Sequence, residues 1–217
     1  MNIILFGPPG AGKGTQSDKL VDDFKLFKVS TGDLIREEIN KNSLLGKEMK
    51  SAIDKGLLVS DEIIDKLILN IVSKKKYSNK LIFDGYPRNI NQAVQLDKII
   101  KKYEQNISCV LSIKVNFEII KKRILGRMIC SKCGLIFNKY FNPPPREDKE
   151  CSHILEIRSD DNEKTLEKRF KTYLNISMPI LDYYQNQNIL HEVDGNGEIS
   201  SIYKEISDII KGLETWL

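Results

Sequence analysis

The sequence predicts an α/β protein: a parallel five-stranded sheet with helices on both faces, plus two inserted lobes. Three observations predict it. Short apolar runs alternate with helical patterns, the first run opens onto a glycine-rich loop, and the alternation breaks in two places. Strand-like runs are Asn2–Phe6, Phe27–Val29, Lys80–Asp84, Ser108–Val115 and Ile189–Val193. Helical patterns cover Lys13–Phe24, Asp33–Asn40, Leu45–Lys55, Asp61–Lys75, Asn89–Tyr103, Phe117–Arg127, Asn162–Gln185 and Ile199–Leu213. Thr31-Gly32-Asp33 and Ser60-Asp61-Glu62 offer N-cap residues for two of these.

The first break, Ser30 to Val59, inserts two helices before the next strand. In the second, Met128 to Asp161, the helical period vanishes. Both read as insertions on the ligand-binding edge of the sheet. The expected organisation is therefore a core of residues 1–29, 60–127 and 162–217, one lobe at 30–59 and a second at 128–161.

The loop Gly7-Pro8-Pro9-Gly10-Ala11-Gly12-Lys13-Gly14-Thr15 is a phosphate cradle. It lies between a buried strand and a helix, the context that the pattern G-x-x-x-x-G-K requires. This makes the sheet one of P-loop NTPase type. Glycines let successive backbone N–H groups converge on an anion, the helix N-terminus adds its dipole, and Lys13 reaches the outer phosphates. Gly14 stands where a Mg²⁺-ligating Ser or Thr usually follows the lysine, and Thr15 comes one place later. A metal must then lean on water and on an acid elsewhere.

The 217 residues suffice for one sizeable core, and 41% apolar with 29% charged content fits a soluble globular chain. A net charge of +4 does not argue for nucleic acid or membrane, and suits a small anionic substrate. No charged leader or apolar signal region precedes the first strand, so a cytoplasmic location is expected. Nor does any apolar run approach the ~20 residues of a membrane span.

Leu81-Ile82-Phe83-Asp84-Gly85-Tyr86-Pro87-Arg88 is the second strong motif. An acid ending a strand beside a phosphate loop can hold the water shell of Mg²⁺. Arginine is scarce, 7 against 27 lysines, so its positions are informative. Arg36, Arg88, Arg123, Arg127, Arg158 and Arg169 border the candidate loops and inserts, as bidentate phosphate contacts would require. Arg123 and Arg127, four apart, are expected on one helix face. Arg146 has no assigned role beyond the surface.

GPPGAGKGT, STGDLIR (30–36), DGYPRNINQA (84–93), GRMICSKCG (126–134) and RSDDN (158–162) together resemble adenylate kinase of the long-lid bacterial type. The resemblance runs in order and spacing across essentially the whole chain. It implies ATP, AMP and ADP as partners, a monomer, and the reaction ATP + AMP ⇌ 2 ADP with Mg²⁺. It makes 30–59 the NMP-binding lobe and 128–161 the lid. It implies catalytic roles for Lys13, Asp84, Arg88, Arg123, Arg158 and Arg169. The ATP-side positions it implies are Gly10, Ala11, Gly12, Lys13, Gly14, Thr15, Arg127, Ile136, Phe137 and Gly197. The AMP-side positions are Thr31, Arg36, Leu57, Leu58, Val59, Gly85, Tyr86, Pro87, Arg88, Gln92, Arg158 and Arg169. Gln92 fits chemically, since an amide pairs with the adenine edge. Met128 stands where some relatives carry a further arginine.

Cys130-x-x-Cys133 and Cys151-x-His153 lie in the second insert and read as a structural Zn²⁺ site, with Asp148 the reserve for the fourth ligand. The spacing of the last two ligands, one residue, departs from the two usual in zinc-bearing relatives. Cys109, in an apolar run, reads as a buried strand residue.

Four rivals remain open on the sequence. A UMP/CMP kinase would usually have a short lid. GTP could serve as donor. A GTPase switch would carry Asn-Lys-x-Asp, which is absent. A zinc-ribbon nucleic-acid-binding module would want a basic, aromatic-studded face, whereas this insert has roughly balanced charge.

Overall fold

A computed structural model describes residues 1–41, 43–54, 59–145 and 151–214. The expected Leu57 and Leu58 positions, the reserve ligand Asp148 and Arg146 fall outside these residues.

The main sheet contains β1 (Ile3–Phe6), β2 (Phe27–Ser30), β3 (Leu81–Asp84), β4 (Cys109–Lys114) and β8 (Leu190–Asp194). Its order is β2-β3-β1-β4-β8, parallel throughout. Alternation along β1 divides the interior. Ile4 and Phe6 join Phe83 and Val110 on one face, while Ile3 and Leu5 join Ile82 and Leu111 on the other. All of these side chains are essentially dry. Cys109 is buried as expected, and burial pushes its thiol up to about 12.

The helices are α1 (Lys13–Phe24), α2 (Thr31–Asn40), α3 (Leu44–Asp54), α4 (Asp61–Val72), α5 (Ile90–Lys102), α6 (Phe117–Leu125), α7 (Glu163–Thr172), α8 (Pro179–Gln185) and α9 (Ile199–Glu214). The α2 cap falls one residue earlier than the expected Thr31: Ser30 Oγ accepts from Asp33 N–H at 3.2 Å. Ser60 occupies the N-cap position of α4, but its side chain makes no capping bond.

Two expectations are corrected. Asn162–Gln185 is not one helix, because a π turn at Tyr173–Ser177 interrupts it and Pro179, which lacks a donor, restarts it. Arg123 and Arg127 do not share a helix face. α6 stops at Leu125 with Gly126 as its cap, and Arg127 opens a strand. A Cβ on Gly126 would come within 2.7 Å of the Tyr140 ring, so the chain turns there with no side chain in the way.

The second insert has order that its sequence does not display. β5 (Arg127–Cys130) pairs antiparallel with β6 (Ile136–Asn138) and with β7 (Leu155–Glu156), in the order β6-β5-β7. Strands this short carry too little alternation to be read.

A small third cluster, Ile120, Ile124 and Leu166 with Phe117 and Phe170, packs α6 against α7. It thereby fixes the helices that carry Arg123 and Arg169. Gly10 lies against the same cluster, and a Cβ there would meet Ile124 Cγ1 at 2.9 Å.

Candidate active site

The carboxyl ends of β1, β2 and β3 open into a cleft of about 1190 Å³. This is the edge where parallel α/β sheets bind ligands. The phosphate loop leaves β1 with Gly10 at φ 78° and Gly12 at φ 95°, left-handed angles that glycine alone adopts cheaply. Gly12 is also the N-cap of α1, so the first backbone N–H groups of that helix face the cleft end of the loop.

Lys13 folds back over the loop. Its Nζ donates to the carbonyl oxygens of Gly7 at 2.7 Å and Pro8 at 2.9 Å. Burial lowers its pKa to about 8. Asp84 opposes that shift, while Arg88, Arg169 and Arg127 reinforce it. Arg88 Nε donates to Gly85 O at 2.7 Å, and Thr31 Oγ1 donates to the same carbonyl at 2.9 Å. Burial, then Arg169, brings Arg88 down to about 10 against the pull of Asp84.

Arg127 forks onto Asp161: its Nε donates to Oδ2 at 2.6 Å and a terminal nitrogen donates to Oδ1. Burial works against its charge, but Asp161 outweighs burial and holds its pKa above the ordinary value. Arg169 donates to Asp160 Oδ2 at 2.7 Å, and burial still leaves it lowered. Arg158 is brought down to about 10 by burial and by Arg127 and Arg36. Its Nε is buried and makes no hydrogen bond to a described residue. An orphaned guanidinium N–H in a cleft of like charges is a place for an anion. Arg36 rests on Asp33 across one turn of α2.

Arg123 stands apart from this charge cluster. It donates to Ala11 O at 3.2 Å and Gly197 O at 3.4 Å, and its guanidinium lies 5.7 Å from the centre of the Phe141 ring. Ile136, Phe137, Asn138, Tyr140, Phe141 and Gly197 line the cleft on this side. Gly14 and Thr15 line the loop floor with Asp84; a Cβ on Gly14 would sit 3.6 Å from Asp84 Oδ2.

A smaller pocket lies beyond Arg88, bounded by Thr31, Ile35, Val59, Ile64, Gly85, Tyr86 and Gln92. It holds only about 10 Å³, and its wall joins the apolar side chains of Ile35, Val59 and Ile64 to the polar ones of Thr31, Arg88 and Gln92. Pro87 lines the main cleft beside Arg88.

The Cys/His residues converge. Ligand atoms of Cys130, Cys133, Cys151 and His153 all lie within 4.8 Å of one another. Cys130 Sγ is 3.7 Å from Cys151 Sγ, and Cys133 Sγ is 3.6 Å from His153 Nδ1. Zinc bonds of about 2.3 Å to sulfur and 2.0 Å to nitrogen place tetrahedral ligand atoms about 3.5–3.8 Å apart, so the donor set fits that ion. The turn that aims the first pair closes with Gly134 N–H donating to Cys130 O at 2.8 Å. The Phe137 ring meets the His153 ring edge-on at 4.6 Å, which ties this cluster to the cleft wall.

Several cleft residues had no role assigned from the sequence. Asp160 and Asp161 are the resting partners of Arg169 and Arg127, and their motif, RSDDN, was visible. Asn138, whose Nδ2 donates to Arg123 O at 2.7 Å, and Lys28, held by Asp18 at 2.7 Å beside the loop, carried no sequence signal.

Comparison with known proteins identifies the family. The family model described as adenylate kinase matches residues 5–189. An adenylate kinase of Pelagibacter ubique is 42% identical over 212 residues, covering 97% of this chain and 100% of that protein. One from Nitrosococcus oceani is 41% identical over 214 residues, 97% of this chain and 99% of its own. The Bacillus subtilis adenylate kinase is 37% identical over 217 residues, 99% and 100% of the two chains.

Proposed function

The chain belongs to the adenylate kinase family, and from that premise we propose how its residues divide the work. The enzyme transfers a phosphoryl group between ATP and AMP, producing ADP. The attacking atom is an AMP phosphate oxygen, already largely anionic at neutral pH because its second pKa is near ~6. No side chain need remove a proton, which accounts for a cleft without a histidine general base among its lining residues. What remains is positioning and charge neutralisation.

Gly10, Ala11, Gly12, Gly14 and Thr15 cradle the donor phosphates. Lys13 leaves the carbonyls of Gly7 and Pro8 for the outer ones. Arg88 bridges the two nucleotides. Arg127 and Arg169 take the transferring group as they exchange carboxylates for phosphate, and Arg158 joins them through its Nε, unpartnered among the described residues. Arg123, stacked near Phe141, serves the donor nucleoside with Ile136, Phe137 and Gly197 rather than the reacting phosphate. Thr31, Arg36, Val59, Gly85, Tyr86, Pro87 and Gln92 form the acceptor site. Closure of the 30–59 lobe and the 128–161 lid over the core excludes water, which would otherwise compete for the phosphoryl group.

Asp84 would hold a hydrated Mg²⁺, which supplies further charge neutralisation at the donor phosphates. Cys130, Cys133, Cys151 and His153 would hold Zn²⁺; four protein ligands leave it no open position, so its role is structural. Reduced thiols suit the cytoplasm, and no helix among the described residues is long and apolar enough to cross a membrane. A cleft completed within one chain suits a monomer.

The observation that carries this reading is the convergence of Lys13, Arg36, Arg88, Arg127, Arg158 and Arg169 on one cleft, with Arg158 Nε unpartnered among the described residues. The test is ADP formation from ATP with AMP, UMP, CMP and GMP offered separately. AMP is expected to be preferred by orders of magnitude; equal use of UMP or CMP would overturn the acceptor assignment.

A further inference from the structure

We propose that Asp61, which lines neither pocket, decides which purine the acceptor site reads by locking the side-chain amide of Gln92 in one orientation. The inference rests on the acceptor-site reading above. Gln92 sits in the first turn of α5, 2% exposed, with its amide at the wall of the small pocket. Its Oε1 accepts from the backbone N–H of Arg88 at 2.7 Å. Its Nε2 donates to Asp61 Oδ1 at 2.7 Å.

Neither partner can reverse its role. A backbone N–H only donates, and a carboxylate only accepts. Turning the amide over would set N–H against N–H and oxygen against carboxylate, both out of water.

Asp61 is itself held. Asn89 Nδ2 donates to both of its oxygens, at 2.9 and 3.1 Å. Asn89 cannot turn over either, because its Oδ1 already caps α5 by accepting from Gln92 N–H at 2.8 Å. The first turn of α4 also favours the charge on Asp61. The order of the lock is therefore helix cap, Asn89, Asp61, Gln92.

An amide has two N–H donors and two lone pairs. With one of each spent inside the protein, Gln92 has one acceptor and one donor left for a base. Adenine carries a complementary edge, its 6-amino donor beside the N1 acceptor. A 6-oxopurine carries the reverse, a carbonyl beside N1–H, and would need the flipped amide. A free glutamine reads both edges, but a locked one reads adenine.

The test uses the full chain with ATP as donor and compares AMP with inosine monophosphate, which differs from AMP only in that edge. Asp61→Asn keeps the size of the side chain but can turn an N–H toward Gln92, so the flipped amide opposes only the backbone N–H of Arg88 and becomes less costly. The preference for AMP, as a ratio of kcat/KM values, is expected to fall at least about tenfold, mostly through KM, with inosine monophosphate gaining in absolute terms. Asn89→Thr retains a capping hydroxyl but releases Asp61; it should shift the ratio the same way by about threefold, and it carries the test if Asp61→Asn fails to fold. A variant that loses both substrates equally, leaving the ratio unchanged, overturns the role of Asp61. Absence of transfer to AMP by the unmodified enzyme overturns the acceptor-site reading and this inference with it.

Discussion

On the loop side of the cleft, Lys13 rests on the carbonyl oxygens of Gly7 and Pro8, and Arg88 on that of Gly85. On the lid side, Arg127 and Arg169 rest on the carboxylates of Asp161 and Asp160. A carbonyl is only a dipole, so on the loop side burial outweighs the pull of Asp84. Lys13 falls to about 8 and Arg88 to about 10; on the other side Asp161 holds Arg127 above its ordinary value, although burial still leaves Arg169 lowered beside Asp160. The loop side is thus charged in advance for a polyanion and gives up little when one arrives. The lid side must exchange one anion for another, which suits the closing step proposed above. The difference separates binding from gating within a single cluster of cations.

The harshest way to break this comparison is to delete a loop-side charge. Arg88→Ala is expected to lower kcat about 10²–10³-fold, the usual cost of one transition-state donor. Because the free protein holds this charge against burial, the melting temperature should not fall. Calorimetry and single-turnover kinetics test the two halves of the statement. Near-normal turnover would remove Arg88 from the phosphate set, and a large drop in melting temperature would show that its charge is compensated after all.

A milder perturbation addresses the lid side. β5 begins at Arg127 and ends at Cys130, so one strand of four residues links the fork on Asp161 to the Cys/His cluster. Stripping zinc with a chelator, or Cys133→Ser, should free that strand and cost about tenfold in kcat. ATP affinity at the phosphate loop should stay within about threefold, since Lys13 and its cradle belong to the main sheet. Amide exchange along Arg127–Cys130 and Ile136–Asn138 should quicken while β1 and β3 stay protected. One zinc per chain is expected in protein prepared without chelators. Its absence, or exchange that ignores the chelator, would uncouple lid order from metal.

How much of this was legible beforehand follows the same division. The main sheet and the loop could be read because buried parallel strands are continuous apolar runs, and Ile3–Phe6 and Leu81–Asp84 are exactly that kind of signal only where both faces are covered. The lid sheet could not, since β7 is two residues long and exposed. Arg123 and Arg127 were expected together because spacing of four implies a helix; Gly126 ends that helix between them. The pairing of Arg127 with Asp161 spans 34 residues, and no local pattern encodes a contact at that range. The cysteine cluster was legible through chemistry rather than periodicity, since reduced thiols and an imidazole at short spacing have few uses other than metal binding.

The smallest effect is the sharpest probe of the loop side. In the free enzyme Lys13 loses its proton as pH rises through about 8. Bound phosphate favours the protonated form, so binding takes up a proton above that pH and affinity must fall as pH increases. The ionised fraction implied by that value drops about threefold between pH 7.5 and 8.5, and the Kd for ATP should weaken by the same factor. Titration calorimetry in two buffers of different ionisation enthalpy would count the proton directly. Lys13→Gln binds more weakly but should show no such slope. Arg127, held charged by Asp161, contributes nothing to the slope in this range, so a pH dependence that survives Lys13→Gln would place the titrating group on the wrong side of the cleft and dissolve the contrast between the two.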